Sequence, residues 1–224
     1  VPTITGVTST TSDGSYKQGE TIAITVVFSE VVNVVESGGT PTLTLNNTSG
    51  TNPAVDYSSG TGSNTLTFNY TIGSGETSSD LDYAATSSLA LNSGTIKDAA
   101  LNAATLTLAS PGTTNSLGAN TALIVDTSVP TISGVSLNAA NSQLTVTFAE
   151  DVYNTNGGSG DLEVADFALS ISGGAAGVNA TPASITKTSQ SIWVLGLTLT
   201  GGTANGSETL TVVPAAGTAI YDKA

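Results

Sequence analysis

At 224 residues the chain has room for two domains of ordinary size, each with a modest core. Charged residues are only 9 % of it, with 17 acids against 4 lysines and a net charge of −13, which excludes nucleic acid as a partner and disfavours anionic membranes. Cys and His are absent, so thiolate and imidazole metal sites, Cys or His nucleophiles and disulfides are excluded, and a metal would need carboxylates, amides and carbonyls.

Helical periodicity is absent and period-two alternation recurs throughout. In the first half it predicts strands at residues 3–9, 21–28, 42–46, 54–57, 64–72, 90–91 with Ile96, 105–108 and 122–125. In the second half the strands fall at 132–137, 143–148, 167–172, 184–188, 192–199 and 208–213. Turn chemistry separates them, as in Ser12-Asp13-Gly14, Asn92-Ser93-Gly94 and Asn156-Gly157-Gly158. Ile22, Ile24, Val26 and Phe28 point inward while Thr21, Ala23, Thr25 and Val27 point out. Leu66, Phe68, Tyr70 and Ile72 form a second inward set, and Leu144, Val146 and Phe148 a third. Trp193 shares parity with Leu195, Leu197 and Leu199, which places it in the core or at its edge; sugar stacking is the alternative.

The chain begins twice. Val1-Pro2-Thr3-Ile4-Thr5-Gly6-Val7 returns as Val129-Pro130-Thr131-Ile132-Ser133-Gly134-Val135, and each copy leads to a run ending in Phe-small-Glu, at Glu30 and Glu150. Self-similarity over roughly a hundred residues is the length of a domain, too long for a solenoid repeat. Short strands at regular spacing with Gly-rich turns predict a β-sandwich for each copy. The expected fold is therefore all-β, with two tandem domains at residues 1–127 and 128–224.

Several motifs have both a bland and a sharper reading. Thr-x-Thr pairs at Thr42/Thr44, Thr65/Thr67, Thr105/Thr107, Thr145/Thr147, Thr198/Thr200 and Thr209/Thr211 resemble ice-binding arrays, but Thr is also the preferred β-branched residue for a wet strand face. Asn-x-Ser/Thr triplets begin at Asn46, Asn47, Asn69, Asn179 and Asn205, as expected by chance in so Asn- and Thr-rich a chain. Residues 152–163 place Asn154, Asn156, Gly157 and Glu163 at EF-hand-like positions, yet Val152 stands where the loop needs Asp, so a Gly-rich hairpin loop is favoured. Acid pairs Asp80/Asp82 and Asp161/Glu163 sit in turns, and no nucleophile or aromatic cleft accompanies them, so no enzyme is expected.

The remaining acids flank the repeat boundary. Asp126-Thr127-Ser128-Val129-Pro130 joins the copies, Glu150 and Asp151 follow Phe148, and Asp222 lies near the end of the second copy. The first copy has counterparts in Glu30 and in Asp98-Ala99-Ala100-Leu101-Asn102. Phe28-Ser29-Glu30, the Asp-Thr linker before Val129-Pro130, and the Asp98–Asn102 segment resemble the bacterial immunoglobulin-like tandem repeats of large secreted adhesins and cell-surface proteins, with Leu101 where those repeats usually have Gly. The resemblance spans the chain and implies immunoglobulin-like sandwiches, an extracellular or bacterial cell-surface location, and neighbouring repeats or subunits as partners. In such a sandwich the loops after the second and sixth strands share the pole where the chain enters. Glu150, Asp151 and Asp222 are then expected near Asp126, with Glu30, Asp98 and Asn102 at the equivalent pole of the first copy, and Glu20, Asp80 and Asp82 at its opposite pole. Clustered like charges invite a cation, and Ca²⁺ accepts 6–8 oxygens flexibly, so a junction Ca²⁺ is one reading and plain turn capping the other.

The second copy stops at the motif that in the first is followed by nearly thirty more residues, including the strand at 122–125. The chain is thus expected to be a piece of a longer protein, and the missing last strand to be truncated, unseen or donated by a neighbour. The leading expectation is a structural and adhesive extender stiffened by Ca²⁺. A self-assembling filament or surface-layer subunit is the first alternative, and a glycan-binding module, with a surface glycan or protein as target, is the second.

Overall fold

Alternating β-branched and aromatic residues, punctuated by Gly, Ser and Asn, leave this chain little choice but strands. The computed structural model describes residues 1–47 and 52–224 and divides into two compact units, Val1–Ser128 and Val129–Ala224. Unit one contains β1 (Ile4–Ser9), β2 (Gly14–Tyr16), β3 (Thr21–Val35), β4 (Thr42–Asn46), β5 (Ala54–Ser59), β6 (Ser63–Thr71), β7 (Asp82–Tyr83), β8 (Leu89–Ala90), β9 (Thr95–Lys97) and β10 (Leu123–Val125). One short helix, α1 (Leu117–Asn120), precedes β10, its Ser116 hydroxyl accepting from the Ala119 N–H at 3.2 Å.

The strands run β1-β3-β6-β5-β4-β7, with β8 also on β4 and β9 on the far end of β3, while β10 pairs in parallel with β2. β3 is longer than its alternation predicts and turns a corner. Residues 21–27 pair with β1 and β6; the register then breaks between Val27 and Val32, and Asn33, Val34 and Val35 pair with β9. The extra residues at Ser29-Glu30-Val31 form a bulge that bends the strand from one layer to the other. Ile22, Ile24, Val26 and Phe28 are buried as the alternation requires, against Leu66, Phe68 and Tyr70 of β6. Thr25, expected outside, is buried too, because Thr8 and Thr67 flank it in register and its hydroxyl donates to Thr8 O at 3.3 Å. No strand forms at 105–108, where Thr105 makes a lone parallel bridge to Thr3 while Leu108 is buried.

Unit two contains β11 (Ile132–Leu137), β12 (Gln143–Phe148), β13 (Phe167–Ser172), β14 (Ala176–Val178), β15 (Ser184–Lys187), β16 (Ile192–Gly196), β17 (Leu199–Gly201) and β18 (Thr209–Pro214). They form a sheet β11-β12-β16-β15 and two strand pairs, β13-β18 and β14-β17. The strand expected at 192–199 breaks at Gly196, where a Cβ would lie 2.2 Å from Ser184 Oγ. The chain then leaves the sheet to pair with β14, and Leu199 is exposed instead of core. The core of this unit gathers Leu144, Val146, Phe148, Phe167, Trp193 and Leu195.

The repeated opening is repeated in three dimensions. Ile4 pairs with Phe28 and Ile132 with Phe148; each strand then slips register, so Gly6 meets Val27 and Gly134 meets Thr147. The Ser29 N–H donates to Thr3 O at 2.8 Å, and the Ala149 N–H to Thr131 O at 2.9 Å. Further on, Asn33 pairs with Lys97 and Tyr153 with Tyr221. Glu30 and Glu150 therefore hold one structural position, Val32 and Val152 a second, and Asp98 and Asp222 a third.

Candidate functional site

In each unit the corner after the Phe-small-Glu motif and the segment just after its pairing partner, β9 in unit one and the Tyr221 bridge in unit two, carry the two acids with equivalent places. In unit one the loop is tight. The Asp98 N–H donates to Asn102 O at 3.0 Å, the Leu101 N–H returns to Asp98 O at 3.0 Å, and Leu101 takes φ 68° while standing in solvent. Asp98 is buried within that loop, receiving the Asn102 side-chain amide at 2.7 Å on one oxygen and the Asn102 N–H at 2.8 Å on the other. The Asn102 side chain, helped by the N–H groups of Asn102 and Ala100 and opposed by burial, holds the Asp98 carboxyl below the usual carboxylate range. In unit two Asp222 accepts the Ala224 N–H at 2.8 Å, the counterpart of the Ala100 contact.

Glu30 and Asp98 converge on one point of the chain: the Val1 nitrogen lies 3.2 Å from Glu30 Oε1 and 3.9 Å from Asp98 Oδ2. Ionised carboxylate oxygens retain lone pairs beyond those used by N–H donors, so the same pair of acids has ligand capacity for a metal. Carbonyls and water would have to complete it, because among the described residues no group of three or more acids is arranged to hold an ion.

The other expected ligands lie apart from this corner or are engaged locally. Asp151 is exposed, in the position of Val31 in unit one. Asp126 closes an Asx turn by accepting the Ser128 N–H at 2.9 Å, and its own N–H donates to Tyr16 O. Glu20 folds back onto the Lys17 N–H at 2.9 Å. Asp80 and Asp82 do meet, with one oxygen of each about 3 Å from where a Gly118 Cβ would sit. Asp82 is buried and accepts the Tyr83 N–H at 2.8 Å and the Gly112 N–H at 2.9 Å, a structural bracket between two loops. Partial desolvation and the charge of Asp82 raise the Asp80 carboxyl above its ordinary pKa, and burial followed by the Asp82 charge pushes the Tyr83 phenol up to about 12.

Trp193 is not a sugar platform. It is 1 % exposed, its indole N–H donates to Gln190 O at 2.9 Å, and the Lys187 ammonium sits 5.7 Å from its ring centroid. The loop at 152–163 departs from an EF-hand. Val152 is fully buried, Thr155 bridges Ser159, Gly157, Gly158 and Gly160 all take positive φ, and the Glu163 N–H is capped by Asp166 at 2.7 Å. The Thr pairs are scattered over β4, β6, β12 and β18, with Thr200 in β17 and the others outside strands, on several separate sheets. Asn69 is engaged with Ser58 Oγ at 3.0 Å, while Asn179 and Asn205 are exposed; the triplets at Asn46 and Asn47 run into residues outside those described.

Two acids that strand patterning does not single out prove the best-held carboxylates of their loops. Glu208 accepts four backbone N–H groups, from Asn205 and Gly206 at 3.0 Å each on one oxygen and from Ala175 and Ala176 at 3.0 and 3.3 Å on the other. The Asn205 N–H first, with those of Ala176 and Ala175, holds its pKa down to about 2. Glu76 accepts the Gly73 N–H and the Tyr70 hydroxyl, each at 2.7 Å. The available signal was a lone acid at the end of a Gly/Asn/Ser loop, a common feature of turns. A scan against protein-family models finds no match to this chain, and a search of curated proteins finds none.

Proposed function

We propose that this chain is a structural and adhesive extender: tandem immunoglobulin-like β-sandwich repeats of a large bacterial secreted or cell-surface protein, with no catalytic role. The observation that carries this reading is the duplication itself. Register, bulge and corner are kept across both units, while loops and the remaining strand pairs differ. Conserving the strand by which the chain enters and the corner beside it preserves what an array of linked modules needs, whereas loop chemistry varies freely. The sparse acidic composition and the lack of disulfides agree with an exposed array stiffened by packing and ions.

Ca²⁺ is the proposed stiffener, held at the corner acids: Glu150 and Asp222 with Asp151 and the linker Asp126, and Glu30 with Asp98 and Asn102. Neighbouring repeats or subunits are the partners.

Melting the chain in EDTA and then across a Ca²⁺ titration tests the proposal. An ion at roughly 100 times its Kd adds about 2.7 kcal/mol, so a rise in Tm with Ca²⁺ is expected, lost in a Glu150→Gln/Asp222→Asn variant. Unchanged melting and unchanged interdomain flexibility on chelation would overturn the calcium reading. Electron microscopy that shows the purified chain forming ordered filaments would favour the subunit alternative.

A further inference from the structure

Asparagine followed by glycine is chemically labile, and unit two carries two such pairs, Asn156-Gly157 and Asn205-Gly206. In the reaction the peptide nitrogen after the asparagine gives its proton to hydroxide and bonds to the side-chain Cγ. The Cγ–Nδ2 bond breaks, and the nitrogen leaves as ammonia with a proton taken back from water. Water then opens one of the two C–N bonds of the cyclic imide, giving aspartate or, at the main-chain carbonyl, isoaspartate. Glycine favours closure because without a Cβ it neither crowds the attacking nitrogen nor restricts the backbone that turns it toward Cγ. Local sequence makes the two pairs nearly alike, so the fold has to tell them apart.

The second pair is held. The Gly206 N–H, which would supply the attacking nitrogen, donates to Glu208 Oε2 at 3.0 Å, and the Asn205 N–H donates to the same oxygen at 3.0 Å. The Asn205 side-chain oxygen accepts the Ser207 N–H at 3.0 Å, which fixes the carboxamide within its own loop. Glu208 is anchored in turn, its other oxygen accepting the Ala175 and Ala176 N–H groups. A carboxylate acceptor opposes the reaction twice: its charge makes the N–H harder to deprotonate, and its bond must break before the nitrogen reaches Cγ. Among Asn-Ser pairs, the Ser116 N–H is likewise taken by Thr113 O at 2.9 Å and that of Ser142 by Asn138 Oδ1 at 2.9 Å.

Gly157 is placed differently. Among the described residues no acceptor takes its N–H, and at φ 87° it has open space where a Cβ would stand. Asn156 is exposed at the tip of the hairpin that the Thr155–Ser159 bridge closes. We propose that Asn156 is a site of spontaneous deamidation and that Glu208 guards Asn205 against the same reaction. The product puts a new carboxylate on the hairpin tip, and its isoaspartate form adds a main-chain carbon between Thr155 and Ser159. Neither the adhesive reading nor the calcium reading is needed for this inference.

The test ages the whole chain at mildly alkaline pH and follows both sites by peptide mapping with mass spectrometry, isoaspartate being separated from aspartate by chromatography. Conversion is expected first at Asn156, with Asn205 slower by about tenfold or more, the factor for breaking one hydrogen bond to a charged group. In denaturant the two rates should converge. In a Glu208→Gln chain, its fold checked by Trp193 fluorescence at the ageing temperature, Asn205 should react about tenfold faster and Asn156 at its parent rate. Native-state conversion at Asn205 as fast as at Asn156 would overturn the proposal, as would an Asn156 that resists ageing in the folded chain. A rate difference that persists in denaturant would assign it to local sequence and remove the guard. An unchanged Asn205 rate in a folded Glu208→Gln chain would remove it too; if that variant fails to fold, the native and denatured rates of the parent decide.

Discussion

Val7 and Val135 are the same residue of the same motif, paired in the same register with Val26 and Val146, yet one is 1 % exposed and the other 56 %. Neither their own sequence nor their own strand explains the difference. It comes from residues 103–125, more than ninety positions downstream of Val7, which cover that strand, while among the described residues none bonds to the Val135 N–H as Asn115 does to that of Val7. Burial of a strand is therefore a property of the elements that reach it. A motif copied faithfully can be core in one unit and surface in the next.

The sharpest way to break this comparison is to uncover Val7. Leu123→Ala, at a fully buried β10 position, should cost unit one about 2–5 kcal/mol, with faster amide exchange at Val7. Val7→Ala should cost about 2 kcal/mol, whereas Val135→Ala should stay within about 0.5 kcal/mol. Trp193, the sole Trp, lies in unit two, so its fluorescence separates the two unfolding transitions in denaturant. If Val7→Ala and Val135→Ala cost the same, the covering segment is not what distinguishes the units.

Most of the strand framework was legible because alternation reports a half-buried pleat. Residues 42–46, 132–137, 143–148 and 167–172 fold as strands with the bounds their patterns give. What stayed hidden depends on distant partners. β2, at Gly14-Ser15-Tyr16, has no alternation of its own and is a strand because β10 lies against it. β3 runs past Phe28, where the period-two reading ends it, because a bulge at Ser29-Glu30-Val31 lets it change layers. Leu199 fits the parity of Trp193, but the break at Gly196 resets it. For the corner, the sequence aligns Glu30 with Glu150 and Asp98 with Asp222, and the shared register gives each pair one position. It has no means of showing that Glu20, Asp82 and Asp126 are engaged by N–H groups of nearby loops.

The units also differ in how the connection following β6 or β16 is held, and here a smaller effect is expected. In unit one the segment after β6 is pinned by Glu76 and then paired with β10; in unit two Glu208 ties residues 205–206 to residues 175–176. A carboxyl held near 2 from an ordinary 4.5 stabilises the fold fully above pH 4.5, and that contribution is lost as the pH falls from 4.5 through 2. Glu208→Gln should therefore lower the Tm of unit two by a few degrees at pH 7 and flatten its acid dependence below pH 4.5. Both are readable from Trp193 fluorescence, with unit one unchanged. An unaltered acid limb in the variant would show that the loop is held by packing instead.

The smallest effect tests the corner loop of unit one. Leu101 sits in the left-handed region at φ 68° with its side chain 76 % exposed, so it contributes strain without compensating burial. A non-Gly residue there costs roughly 1–2 kcal/mol, and Gly returns part of that by widening the unfolded ensemble. Leu101→Gly should thus stabilise unit one by up to about 1 kcal/mol and leave unit two untouched. Leu101→Val, β-branched and still less tolerant of positive φ, should destabilise it. Asp98 accepts its N–H groups only while this turn is closed, so the Gly variant should also hold the Asp98 carboxyl at least as far below the usual range, measurable by NMR titration of the side chain. A Gly variant no more stable than the parent would mean that the loop's hydrogen bonds, and not its backbone conformation, limit the corner on which the two acids of unit one converge.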